Sequence, residues 1–233
     1  MDISVLSTGS KGNCYKVDDS NSPVLLEAGV PFAQIQKWLD FRITSIAGTL
    51  VSHEHKDHSK AVLDLMENGI DCYMSAGTAK ALKLPEYHNR LQVVGILSPF
   101  QVGSWMVLPF EAKHDAKEPL GFLLQSGAEK LLYLTDSFYC KYKFVGLTHI
   151  MIECNYCKDI LDANCDSGLI HPKLRNRIMR SHFSLEHVKE FLAANDLRLV
   201  REIHLIHLSS ENADPMRCRD EVQALTGIPT YIA

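Results

Sequence analysis

Six consecutive residues, His53-Glu54-His55-Lys56-Asp57-His58, constrain this chain more than any other part of it. Three imidazoles and two carboxylates share that span, directly after the apolar run 46–52, which reads as a buried strand. A purely structural turn gains nothing from so many donors. At neutral pH they combine borderline nitrogen with hard oxygen, the set that zinc, manganese or iron accepts. In the turn after a strand, alternate side chains can converge on one point beyond the strand's end. Two ions held this way need about eight to ten donor positions, at four or more each, so further ligands are expected downstream.

Three positions answer that expectation. His114 follows a strand-like run at 103–112, Asp136 follows the apolar run 131–135, and His207 ends the alternating run 203–208. Each alone has an ordinary reading: a loop histidine, an Asx turn or helix cap, and a core histidine. Taken with 53–58 they read together as metal ligands.

The rest of the chain is a mixed pattern of strands and helices. Short strands are expected at 3–7, 14–17 and 24–27, a helix at 32–40, a helix at 59–67 ended by Asn68-Gly69, a strand at 72–75 and a short helix at 77–83. Further strand-like runs lie at 91–97, 103–110, 120–126, 130–135 and 148–153. A helix at 184–195 starts at the cap Ser184, a strand covers 202–208, and a last helix runs from the cap Asp214 and Pro215 to Gly227. A final strand spans 230–233. No linker interrupts the 233 residues, so one domain over 1–233 is expected, large enough to fold without disulfides.

Composition narrows the class. No stretch approaches the roughly 18–20 apolar residues of a membrane span, and the N-terminus lacks the pattern of a secretory signal. Seven cysteines at scattered spacing do not read as a disulfide framework, and reduced thiols in the cytoplasm fit better. Cys154-Asn155-Tyr156-Cys157 has zinc-ligand spacing, with Cys165 and His171 following, but lacks a second pair. The net charge is −4, yet residues 171–201 carry seven Lys/Arg against three Asp/Glu. Lys173, Arg175, Arg177 and Arg180 form the core of that excess. A solvated helix face is the default for such a run; contact with phosphates is the functional reading. Tyr139, Tyr142 and Phe144, alternating with Lys141 and Lys143, suit either a half-exposed strand or a stacking edge for a single strand.

His53-Glu54-His55-Lys56-Asp57-His58 resembles the H-x-H-x-D-H signature of the metallo-β-lactamase fold, and His114, Asp136 and His207 match its later metal motifs in order. The resemblance implies a four-layer αββα sandwich with two divalent ions, zinc or manganese. It implies that His53, His55 and His114 hold one ion and that Asp57, His58 and His207 hold the other, with Asp136 bridging. Further segments are similar to the WalJ-type (YycJ-like) nuclease branch. These are Ser7-Thr8-Gly9-Ser10-Lys11-Gly12-Asn13-Cys14, Glu153-Cys154-Asn155-Tyr156, Ser181-His182-Phe183-Ser184, and His207-Leu208-Ser209 with Asn212. Cys157 and Ser181 depart from that branch, which usually places Asp and Gly there.

The resemblance implies metal-dependent hydrolysis of DNA, exonucleolytic from a 5′ end, with Asp57 and His182 as catalytic residues. His182, just ahead of a helix cap, also stands where backbone N–H groups favour an anion. Two other classes compete: a small-molecule hydrolase acting on a cyclic phosphodiester, thioester or lactam, and a non-catalytic interaction protein. The intact donor set disfavours the last, whereas overall acidity favours a smaller substrate.

Overall fold

Short apolar strands parted by Gly- and Asn-rich turns open the chain, and they pair as the alternation predicts. In the computed structural model, which describes residues 1–85 and 88–233, the chain packs as two compact units. The first comprises 1–111 and 116–128, the second 112–115 and 129–233.

In the first unit β1 (Asp2–Ser7), β2 (Cys14–Asp18) and β3 (Val24–Leu26) are antiparallel. After α1 (Phe32–Trp38), β4 (Thr49–Leu50) joins β3 in parallel. The chain then forms α2 (Lys56–Ser59), α3 (Val62–Glu67), β5 (Cys72–Met74), α4 (Ala76–Ala81) and β6 (Leu91–Val93). The six strands lie in sequence order. Ile35 of α1, Val62, Leu65 and Met66 of α3 and Ala79 of α4 bury themselves with Leu25, Val51, Cys72 and Met74, forming the unit's core. An antiparallel meander follows: β7 (Phe100–Val102), β8 (Trp105–Glu111) and β9 (Leu120–Ser126). It is tied to the β2–β3 turn, where Trp105 Nε1 donates to the Ser22 carbonyl at 2.7 Å, and Ser104 and Ser126 each donate to Asp19 at 2.5 Å.

In the second unit β10 (Glu129–Leu134), β11 (His149–Glu153), β12 (Glu202–Ile206) and β13 (Thr230–Ile232) run parallel in that order. Their near-continuous apolar runs are what strands covered on both faces require. Between them come α5 (Lys158–Asp166), α6 (Pro172–Ser181), α7 (Leu185–Ala193) and α8 (Pro215–Thr226). Ser184 caps α7 by accepting from His187 N, and Asp214 caps α8 by accepting from Arg217 N. Gly227 ends α8 at φ 70°, a left-handed turn that glycine enters without a Cβ clash. Among the described residues no helix is long and apolar enough to cross a membrane.

Four expectations differ. The strand foreseen at 46–52 has only Thr49–Leu50 in regular form, although Gly48 O and Val51 N still join neighbouring strands. The helix foreseen at 59–67 is split, because Ala61 N bonds to Ala28 O instead of continuing the helical ladder. Residues 139–144 form neither strand nor helix. Helices α5 and α6 had no clear periodic signal; α6 is strongly polar and packs through Ile178 and Met179 against Tyr156, Leu161 and Ile170.

Candidate metal centre

Burial of Leu50 and Val51 fixes where the His-rich segment leaves the sheet. His53 follows immediately and is fully buried, with Ser52 Oγ 2.9 Å from its Nδ1. His53 Nε2 lies 3.0 Å from His55 Nδ1. Two nitrogens bound tetrahedrally to one ion at 2.0–2.1 Å would stand roughly 3.3 Å apart, so this pair is already near ligand spacing. His55 is the N-cap residue of α2, and its carbonyl accepts from His58 N and Ser59 N. That first turn rotates Asp57 and His58 back toward His53, whose ring centroid is 4.3 Å from that of His58.

Three residues outside the motif hold it in shape. Asn13 Nδ2 donates to Asp57 O at 3.1 Å and stands 3.2 Å from His58 Nε2. Glu27, fully buried, accepts from Ser52 N at 3.2 Å and lies 3.6 Å from His58 Nδ1. Gly29 packs so closely that an added Cβ would lie 1.7 Å from Asp57 O. The Gly-rich segment 7–14 thus borders these donors through Asn13.

In the second unit the donors emerge where parallel strands end. Asp136, Glu153 and His207 stand at or just beyond the C-terminal ends of β10, β11 and β12, the edge where α/β sheets place ligands. Asp136 and His207 adopt left-handed φ of 42° and 55°, strained for residues with a Cβ and typical of functional turns. His114 is brought to the same edge because Lys113 N donates to Ser137 Oγ and Phe138 N donates to Lys113 O. Its Nε2 is 3.2 Å from Asp136 Oδ2, while Asp136 Oδ1 faces His207 Nδ1 at 3.5 Å. Asp136 thus turns one oxygen toward each of two histidines.

Glu153 enters the sequence reading only as part of a motif, without a role in the site. Fully buried, it accepts from Ser137 N and Phe183 N at 3.1 Å each, from His182 Nδ1 at 2.6 Å and from His207 Nδ1 at 3.1 Å. Asp136, Glu153, His182 and His207 bring donor atoms within 4.8 Å of one another. The missed signal was an acidic residue closing a wholly buried strand, the same cue that marks Asp136. Burial disfavours a charged His182, but the Glu153 carboxylate beside it raises its pKa above the usual imidazole value. Burial raises the Glu153 carboxyl in turn, and His182 and hydrogen bonds more than offset this. His114 is lowered, because burial there outweighs Asp136.

The structure therefore gathers His53, His55, Asp57 and His58 in one unit, and His114, Asp136, His182 and His207 in the other. The basic cluster lies on α6. Arg175 is paired with Asp162 at 2.5 Å and Arg177 with Asp115 at 2.9 Å, which leaves Lys173 and Arg180 as exposed cations without an ion pair among the described residues. The cysteines form no four-donor site: Cys157 Sγ meets Cys218 Sγ at 3.6 Å, and no cysteine joins a metal-type cluster among the described residues.

A family model described as the beta-lactamase superfamily domain matches residues 23–208. Exodeoxyribonuclease WalJ of Streptococcus pneumoniae serotype 2 is 26% identical over 226 residues, covering 90% of this chain and 82% of that protein. Exodeoxyribonuclease YycJ of Bacillus anthracis is 26% identical over 227 residues, covering 91% and 84%. Among solved structures, the metallo-β-lactamase fold protein YhfI from Bacillus subtilis superposes with a TM-score of 0.73 at 15% identity, covering 99% of this chain and 95% of that one.

Proposed function

Because this chain belongs to the β-lactamase superfamily, we propose that it is a metal-dependent exodeoxyribonuclease of low sequence specificity, with 1–233 acting as one hydrolase domain. His53, His55 and His114 hold one divalent ion in this reading, and Asp57, His58 and His207 the other, with Asp136 shared. Zinc and manganese both suit nitrogen and carboxylate donors, and availability selects between them. The observation that carries the proposal is the collection of donors at the strand ends, reinforced by buried Glu27 and Glu153 behind the histidines. Two relatives bearing the exodeoxyribonuclease name, similar along nine-tenths of this chain, support DNA as the substrate. Scattered, unpaired cysteines support a reducing, cytoplasmic setting.

Bound ions would supply Lewis-acid activation of water and charge neutralisation on the phosphoryl oxygens. The side chains do the rest. Asp57 orients the attacking water and takes its proton. Glu153 locks His182 Nδ1, so Nε2 faces a phosphoryl oxygen, and the carboxylate beside it raises the imidazole pKa, which favours a ring able to donate. Lys173 and Arg180 steer the backbone without reading bases.

A smaller phosphodiester remains the second reading, favoured by the net charge of −4 and by the two arginines already paired with aspartates. End-labelled single- and double-stranded DNA and RNA, incubated with Mn or Zn and resolved by length, test the proposal. A DNA ladder growing from the 5′ end is expected. Internal cuts would make it an endonuclease, and intact polymer alongside turnover of a small phosphodiester would overturn it.

A further inference from the structure

Residues 138–144, Phe-Tyr-Cys-Lys-Tyr-Lys-Phe, are rich in aromatic and basic side chains yet join no sheet. Their backbone bonds locally and to α7. Ser137 Oγ donates to Tyr139 O at 2.8 Å, and Phe144 N donates to Asn195 Oδ1 at 2.7 Å, whose Nδ2 donates to Phe191 O. Held away from α7 by this bracing, the segment encloses with the helix a cavity of about 240 Å³. Tyr139, Tyr142, Phe183 and Phe191 supply aromatic walls, and Lys141 and Lys143 are exposed beside them. Phe144 packs behind, its ring tilted and 6.3 Å from that of Phe191.

The position matters as much as the lining. Phe138 comes two residues after Asp136, and Phe183 follows His182 directly. Phe183 N donates to the same Glu153 that holds the His182 ring. Phe183 at the cavity and the His182 ring are thus neighbours on one segment that Glu153 anchors. The volume is below the 300–1,000 Å³ of pockets that enclose drug-sized ligands, so it takes one planar ring system with its substituents outside. Aromatic walls offer faces for stacking, and the two lysines offer charge to the phosphates of the same strand. Glu190, also at the cavity, is a hydrogen-bond acceptor for an exocyclic amino group.

We infer that this cavity is a stacking subsite for one unpaired nucleobase of the DNA strand whose phosphate meets His182. The inference rests on the nuclease reading above. A base inside a duplex is stacked and paired, so it cannot enter; single strands and frayed ends are preferred.

The test uses single-stranded DNA in which each of the first few nucleotides from the attacked end is replaced in turn by an abasic analogue. Wild-type protein should cleave the natural strand at least about tenfold more efficiently than one of the abasic strands. In Tyr139→Ala that ratio should fall toward one; Tyr139 is 55% exposed, so the fold and metal content should survive the change. A 2-aminopurine base at the sensitive position should be quenched on binding wild-type protein and less so on binding Tyr139→Ala or Lys141→Ala. Equal cleavage of natural and abasic strands by wild-type protein would overturn the subsite while leaving the nuclease standing. Failure to cleave either strand would sink the nuclease reading, and the subsite with it.

Discussion

Replacing Glu153 with glutamine isolates the electrostatic role of one buried carboxylate. Its Oε2 accepts two backbone N–H groups, and its Oε1 accepts from His182 at 2.6 Å and from His207 at 3.1 Å. Glutamine can keep the backbone pair on its carbonyl oxygen. Its NH₂ then faces two imidazole N–H groups, donor against donor. His182 must give up its Nδ1 proton or lose the bond, and a charged hydrogen bond worth about 1.5–3 kcal/mol becomes at best a neutral one of about 0.5–1.5. Carboxylates behind metal-site histidines typically carry a 10–100-fold effect on metal affinity or activity, and we expect a fall of that size here. Alanine would be less informative. It strands four donors at about 1–3 kcal/mol each, enough to threaten a fold worth about 5–15. Metal affinity is measured by competition with a chromogenic chelator, turnover on end-labelled DNA, and the His182 titration by imidazole NMR. Without the Glu153 charge, burial of His182 is opposed by Asp136 and no longer by its nearest carboxylate, so its pKa should drop. A variant with wild-type turnover, affinity and titration would refute this account.

Three further outcomes follow from the geometry. Protein purified without added metal should contain Zn, Mn or Fe by elemental analysis; His55→Ala should lose it, whereas His182→Ala should keep it and lose about 10²–10³ in rate. Gly29→Ala should lower both Tm and metal content, since its Cβ would meet Asp57 O at 1.7 Å and overpacking costs about 1–3 kcal/mol; an unchanged melt would disprove the close approach. Burial would raise the Asp19 carboxyl, but Ser104, Ser126 and two backbone N–H groups hold it well below the usual range. Its folded pKa being depressed, that stability is present above the unfolded value of about 3.9 and lost as pH falls toward the folded one. The wild-type Tm should therefore drop more steeply than that of Asp19→Asn between pH 5 and lower values, and parallel curves would contradict it.

What the sequence by itself determined was whatever depends on neighbours along the chain. The caps Ser184 and Asp214, the turn at Gly227 and the buried strands β9 to β12 were all legible, because capping and side-chain alternation act over a few residues. The donors were legible for a related reason: a polar residue at the end of an apolar strand announces itself locally. Tertiary structure decided the rest. Glu153 had a place in a motif but no role until His182 and His207, 29 and 54 residues further on, turned their Nδ1 atoms to it. Arg175 and Arg177 read only as members of a basic cluster, and it is the fold that brings Asp162 and Asp115 within reach. Residues 139–144 alternate like a strand, yet Asn195 captures Phe144 N and holds the segment over a cavity instead. In each case the deciding partner is distant in sequence, and a buried or paired charge takes its role from that partner because only the folded chain removes the water that would otherwise satisfy it.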